Sequence, residues 1–207
     1  MALFDEAARK RIEDAIATNE QRTAAELVVV SVQRSDSYPE ARFATALFCA
    51  VLAGVLGHTF WPQLRVVEVL WLEEAAALFG FLVSGVPLVL RLITPAKRAH
   101  GMVERRAREA FLEHSVFATR DRTGVLILVS ELERRVVILG DKAIHERIEA
   151  SGWQAHVQRI VTGIQQGRAA EGVCEVLNAI GEVLRTHFPV RADDTNELSN
   201  TVRQSDA

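Results

Sequence analysis

Two cysteines are all that this 207-residue chain holds. Cys49 and Cys174 lie far apart with no CxxC spacing, which excludes a disulfide framework and a cysteine-built zinc site. Both read as small core residues. Excess positive charge is also lacking. The formal net charge is −3, with 24 Lys and Arg against 27 Asp and Glu. Nucleic acid is held chiefly by Lys and Arg, so it is excluded as a dedicated partner. The histidines, His58, His100, His114, His145, His156 and His187, form no HxxxH or HExxH pair. GxSxG, P-loop and GxGxxG motifs are absent. Cys174, in EGVCEVLNAI, has no Gly-rich, Arg-ended anion loop beside it. The start, MALFDEAARKRIEDAI, lacks an apolar h-region, so no cleaved signal peptide is expected.

Apolar residues are plentiful and concentrated. They make up 49% of the chain, and mean hydropathy is +0.10 despite 25% charged residues. Phe43 to Trp61, FATALFCAVLAGVLGHTFW, carries no charge. As a helix this run covers roughly 28 Å, close to the hydrocarbon thickness of a bilayer. A second run is cleanest over AAALFGFLVSGVPLVL and predicts a helix at about 72–93. Trp61 and Trp71 sit where interfacial aromatics are expected. The short linker through Pro62 and Arg65 makes the two helices antiparallel neighbours. Ala46, Ala50 and Gly54 form one small-residue stripe, and Ala76, Gly80 and Ser84 the other, spacings that let helices approach closely in lipid. His58 and Glu73 continue these stripes and are expected to meet near the non-cytoplasmic surface, as interfacial polar residues or as a functional pair. Arg34 and Arg42 precede the hairpin, and Arg91, Lys97, Arg98, Arg105, Arg106 and Arg108 follow it. The positive-inside rule then keeps both flanking segments cytoplasmic. A soluble core hairpin is the competing reading, but core helices seldom run so long without one charged position.

The residues around this hairpin alternate between helical and strand patterns. Residues 5–20 have helical period, with Ala8, Ile12, Ala15 and Ile16 on one face and Asp5 as N-cap. AAELVVVSV, residues 24–32, reads as a strand. A helix follows Pro95, from Ala96 to about Phe117. Its Arg105, Arg106 and Arg108 are read either as a lipid-facing basic cluster or as a solvated face. TGVLILVS (123–130) and RRVVIL (134–139) form two more strands. With so few residues between them they can only pair as an antiparallel hairpin. Their continuous apolar runs require helices on both faces of the sheet. Helices are expected at about 142–150, 153–166 and 169–186, with Gly152 and Gly167 at their boundaries. The tail 191–207 is polar and expected to be disordered. The fold class is therefore α/β, with a β-hairpin in the sheet and a two-helix transmembrane hairpin interrupting the domain.

Ligands of α/β sheets gather at strand ends. That criterion selects Glu26 at the head of the first strand, Glu133 and Arg134 at the turn, and Asp141 after the third strand. Each also has a plain structural reading: edge solvation for Glu26, an ion-paired turn for Glu133 and Arg134, and an N-cap for Asp141.

AEL-VVV at 25–30, RTGVLILVS at 122–130, ERRVVILGD at 133–141, Trp153 and the closing HFP resemble the TPM domain family. The resemblance covers about residues 5–35 and 95–189. It implies a small α/β/α sandwich and looks most like a bacterial branch in which a membrane hairpin interrupts the domain, at the inner membrane with both termini cytoplasmic. On this reading the domain occupies 1–40 and 95–190 and the hairpin 41–94. For some members the resemblance implies a divalent cation such as calcium, and for the family a phosphatase activity. This chain has Gly140, Asp141 and Lys142 where the family pattern carries Gly-Tyr-Gly, so no ligand set is carried over. No resident cofactor is assigned. The first expectation is a non-catalytic interaction or regulatory module on membrane lipid, serving assembly or maintenance of a membrane-protein partner, with an oligomer allowed. The alternative is a metal-dependent phosphatase-like hydrolase using an acidic pocket.

Overall fold

The computed structural model describes residues 3–148, 154–191, 193 and 195–205. Expectations for Gly152 and Trp153 lie outside these residues. Two compact units emerge: residues 1–35 with 100–207, and residues 36–99.

In the first unit, Leu27–Val32 (β1), Val125–Ser130 (β2), Arg135–Gly140 (β3) and Arg203–Ser205 (β4) make one sheet in the order β3-β2-β1-β4. β1 runs parallel to β2, with Leu27 opposite Val125 and Val32 opposite Ser130. β2 and β3 form the antiparallel hairpin that their short connection demands. Every residue of β1 and β2 is buried. Side chains of a strand alternate between faces. Accordingly Leu27, Val29, Val125, Ile127 and Val129 share one apolar cluster, while Val28, Val30, Val32, Leu126 and Leu128 share another.

Helices cover both faces, giving an α/β/α sandwich. On the first face lie Glu6–Glu20 (α1), through Ile12 and Ile16, and Ala169–His187 (α8), through Val173, Val176, Leu177, Ile180 and Leu184. Lys142–Arg147 (α6) and Gln154–Gln165 (α7) add Ile144 and Ile160. On the second face lies the helix Ala96–Glu113, through Val103, Ala107 and Ala110, with Val116 from the short 3-10 turn that follows. Burying one Val or Ile side chain at such positions contributes about 1.5–3 kcal/mol. Asp5 caps α1 by accepting the Ala8 N–H at 2.7 Å. The tail departs from expectation. Residues 203–205 add to the edge of β1 as a parallel strand, because Leu198 packs on the second cluster and Val202 on the first. Two apolar anchors in a polar segment suffice to dock it.

The second unit holds Pro39–Phe60 (α2), Val66–Val83 (α3) and Pro87–Ile93 (α4); the helix from Ala96 completes the series as α5. The single helix expected at about 72–93 is instead two helices at 101°. Pro87 lacks an N–H and pushes Val86 into an extended conformation (φ −69°, ψ 129°), which ends α3 and starts α4. α2 and α3 pack antiparallel through small residues. A Cβ on Gly80 would lie 2.8 Å from Cys49 Sγ and 3.1 Å from the Thr45 carbonyl oxygen; one on Gly54 would collide with the Glu73 carboxylate. Ala46, Ala50 and Ala76 lie half-buried in this unit, and Gly54, Gly80 and Ser84 buried. Glu73 thus meets Gly54, whereas His58 is exposed. The larger side chains point outward: Phe43, Phe48 and Val55 of α2 are 64%, 66% and 58% exposed, and Leu78, Phe79 and Leu82 of α3 are exposed as well.

The α2–α3 contact makes a direct prediction. A Cβ on Gly80 would lie 3.1 Å from Cys49 Cβ, slightly inside the usual disulfide separation of about 3.5–4.5 Å. Under oxidation Gly80→Cys is expected to cross-link to Cys49, read by mass spectrometry as one peptide pair. Failure to recover that pair would show that the helices do not meet through these faces.

Candidate functional site

The six-residue strands set the geometry of any site. At about 3.3 Å per residue they hold the two ends of the sheet roughly 20 Å apart. The four strand-end residues expected from the sequence divide between those ends, two and two.

Glu26 and Asp141 lie at the end where β1 and β2 begin and β3 finishes. The Val125 N–H donates to the Glu26 carbonyl, and the Asp141 N–H to the Gly124 carbonyl, both at 2.8 Å, so the two acids stand on strands one apart from each other. The Glu26 side chain is buried and accepts the N–H groups of Glu197 and Leu198 at 3.1 and 3.3 Å. Asp141, 5% exposed, caps α6 and accepts a two-pronged contact from Arg122: Nε at 2.7 Å and Nη2 at 3.0 Å. Arg122 itself takes a left-handed backbone (φ 58°) to aim its guanidinium there. Nearby, Ala24, Asp121, Thr123, Arg147, His187 and Arg191 are among the residues lining a concavity of about 280 Å³. Its cations are already engaged: Arg191 with Asp121 at 2.7 Å, and Arg147 with the His187 carbonyl at 2.7 Å.

Glu133 and Arg134 lie at the opposite end, in the β2–β3 turn. Glu133 accepts the Ser35 N–H at 3.0 Å and the Ser130 hydroxyl, and the Ser35 and Ser130 hydroxyls meet at 2.9 Å. The carboxylate therefore ties the turn to the segment leaving β1. Arg134 is exposed and turns the chain through a left-handed conformation (φ 49°).

The basic residues of α5 are matched along the helix. Arg105 pairs with Glu109 at 2.8 Å, Arg106 with Glu113 at 2.9 Å and Arg108 with Glu104 at 3.0 Å. The Arg105 and Arg108 pairs are exposed and contribute about 0–1 kcal/mol each, whereas the Arg106 side chain is largely buried.

Glu20 escaped the sequence reading. It follows Ile12 and Ile16 down the apolar face of α1, and that spacing was the available signal. Its Oε1 accepts the Leu27 N–H at 2.8 Å. Burial first, and then the neighbouring charge of Glu26, push its carboxyl up to about 8, against the lowering effect of the Leu27 bond. Arg122, Ser35 and Ser130 were missed as well, since their roles arise from strand register. Burial raises the Cys174 thiol, which disfavours the thiolate a nucleophile needs. Among the described residues, no group of three or more His, Cys, Asp or Glu converges to hold a metal ion. The arrangement as it stands is suited to gripping backbone N–H groups with carboxylates.

Comparison with known proteins adds two findings. The family model of the TPM domain matches residues 90–183. The NMR structure of the BA42 protein from the psychrophilic bacterium Bizionia argentinensis superposes with a TM-score of 0.62 at 20% identity, over 98% of this chain and 95% of that one. At that identity the likeness speaks for the fold. No curated protein matches.

The Arg122–Asp141 contact predicts a stability effect. Arg122→Ala leaves a buried carboxylate with one fewer charge partner and is expected to destabilise the first unit by about 1–3 kcal/mol. Adding Asp141→Asn to Arg122→Ala should recover part of that loss. Urea unfolding of the two variants measures it; no loss in Arg122→Ala would show that the pair holds nothing, and equal losses would show that the stranded carboxylate is not the cause.

Proposed function

We propose that this chain, a TPM-domain protein, is a membrane-anchored interaction module whose domain engages a membrane-protein partner. The observation that carries the reading is the outward apolar surface of α2. That helix is long and apolar enough to cross a bilayer, and only 11% of its apolar window is buried. A core helix of a soluble protein would bury these side chains against its own chain. Here Phe43, Leu47, Phe48, Val51 and Val55 face outward. Moving five such side chains out of water is worth on the order of 10 kcal/mol.

The second crossing is supplied by the bent α3–α4 pair, which meets the same length and composition test only when taken together. Arg42 near the start of α2, Arg91 in the last turn of α4, and Lys97 and Arg98 just beyond it support a cytoplasmic domain under the positive-inside rule. Small-residue packing between α2 and α3 supports a hairpin that enters lipid as one piece. The strand-end carboxylates support an interaction role over a catalytic one, because Glu26, Glu133 and Asp141 each grip backbone or a charge partner of the fold.

Full-length protein in membranes is expected to resist extraction by alkaline carbonate and to need detergent for a monodisperse state. Release by carbonate would sink the anchored reading. Crosslinking in membranes, followed by purification in mild detergent, should recover a reproducible membrane-protein partner. On p-nitrophenyl phosphate with calcium, magnesium or manganese, no turnover is expected. Turnover lost on both Glu133→Ala and Asp141→Ala would replace this reading with a hydrolase.

A further inference from the structure

The bend between α3 and α4 brings an apolar edge and several cations together. α3 has 18 residues, about 27 Å of helix, which is close to the hydrocarbon thickness of a bilayer. α4 leaves it at 101°. Where α3 crosses a bilayer, α4 therefore turns along the surface. Leu90 of α4 is buried, whereas Leu88 and Leu92 are 65% and 77% exposed. Four residues apart, these two share one side of the helix. Val86, Leu82 and Phe79 carry the same exposed apolar surface back into α3. Arg91, exposed as well, flanks Leu88 one turn away.

The cations at this bend lack counter-charges. The Arg42 guanidinium lies 4.2 Å from the Phe81 ring centroid, and a Cβ on Gly85 would lie 3.4 Å from its Nη2. Its Nε is shielded from water and has no acceptor among the described residues. The acids that precede Arg42 in α2 and its approach, Asp36 and Glu40, are taken by Arg98 at 3.3 and 2.7 Å. Arg105, Arg106 and Arg108 of α5 each have a glutamate, but among the described residues Arg42, Arg91 and Lys97 form no ion pair.

Resting on the anchored reading above, we propose that the α3–α4 elbow docks anionic phospholipid. α4 lies flat at the cytoplasmic headgroup level, with Leu88 and Leu92 in the upper acyl chains and Arg42, Arg91 and Lys97 on the net-negative headgroups. An apolar edge beside unpaired cations suits an amphiphile carrying that charge. The long Arg and Lys stems lie along apolar surface while their charged ends reach the headgroup layer. A guanidinium offers a phosphate two parallel donors, and the Phe81 ring holds that of Arg42 in place. Each cation close to an anionic surface favours it by roughly fivefold.

Full-length protein reconstituted in mixed phosphatidylcholine–phosphatidylglycerol vesicles tests this with trace spin-labelled lipids of each kind. Electron spin resonance of the motionally restricted lipid is expected to favour phosphatidylglycerol at least about threefold. Arg42→Gln, Arg91→Gln and Lys97→Gln together should bring that ratio close to one, and Arg105→Gln with Arg108→Gln should leave it unchanged. A nitroxide on Leu88→Cys or on Leu92→Cys, in a chain carrying Cys49→Ala and Cys174→Ala, should report the same depth, at headgroup level. A helix continuing the crossing would separate the two by about 6 Å. No preference in the wild type, a preference kept by the triple variant, or such a separation would overturn the proposal. The anchored reading fails separately: a nitroxide on Phe48→Cys in α2 would then read as water-exposed instead of deep in hydrocarbon.

Discussion

The parallel pairing of β1 with β2 is the constraint on which the rest of the first unit depends. Both strands are buried on both faces, so neither is stable until helices cover it twice. α1 and α8 close one side, and α5 closes the other. β3 and β4 attach to the two free edges of this pair. Each carboxylate at the strand ends then acts on backbone that the pairing has already brought into position. Glu133 reaches from the β2–β3 turn to Ser35, just beyond β1, and Glu26 reaches from β1 to the returning tail.

How much of this was legible in the sequence follows from which forces were local. The strands and the antiparallel turn could be read because their apolar runs and short connection admit few alternatives. Helix starts at Asp5 and Pro95 were equally plain. The break between α3 and α4 was not foreseen, although Gly85 and Pro87 lie inside the run. Hydrophobicity there stays high through the bend, so composition alone conceals it. The tail was misjudged for the opposite reason. Leu198 and Val202 are isolated apolar residues in a polar stretch, and their docking depends on surfaces built by residues far away in sequence.

The candidate residues show the same division. Glu26 and Asp141 were identifiable as acids at strand ends, and the structure sets them at one end of the sheet. Their partners were invisible, since Arg122 reaches Asp141 only through strand register and a left-handed backbone. Glu20 was hidden as an ordinary charged residue closing a helix, although its position four after Ile16 placed it on the apolar face. Burial, and not residue type, is what makes it unusual.

The insertion of the second unit between β1 and β2 has a consequence for biosynthesis. As the chain emerges, β1 is complete while its central partner is still untranslated. Roughly ninety residues, the greasy α2–α4 segment among them, must follow before β2 appears, on the order of ten seconds at ordinary elongation rates. Throughout that interval a ribosome-bound chain displays an unpaired strand with two apolar faces, a species prone to sticking. The order of elements thus obliges the nascent polypeptide to settle its apolar hairpin before its sheet can close.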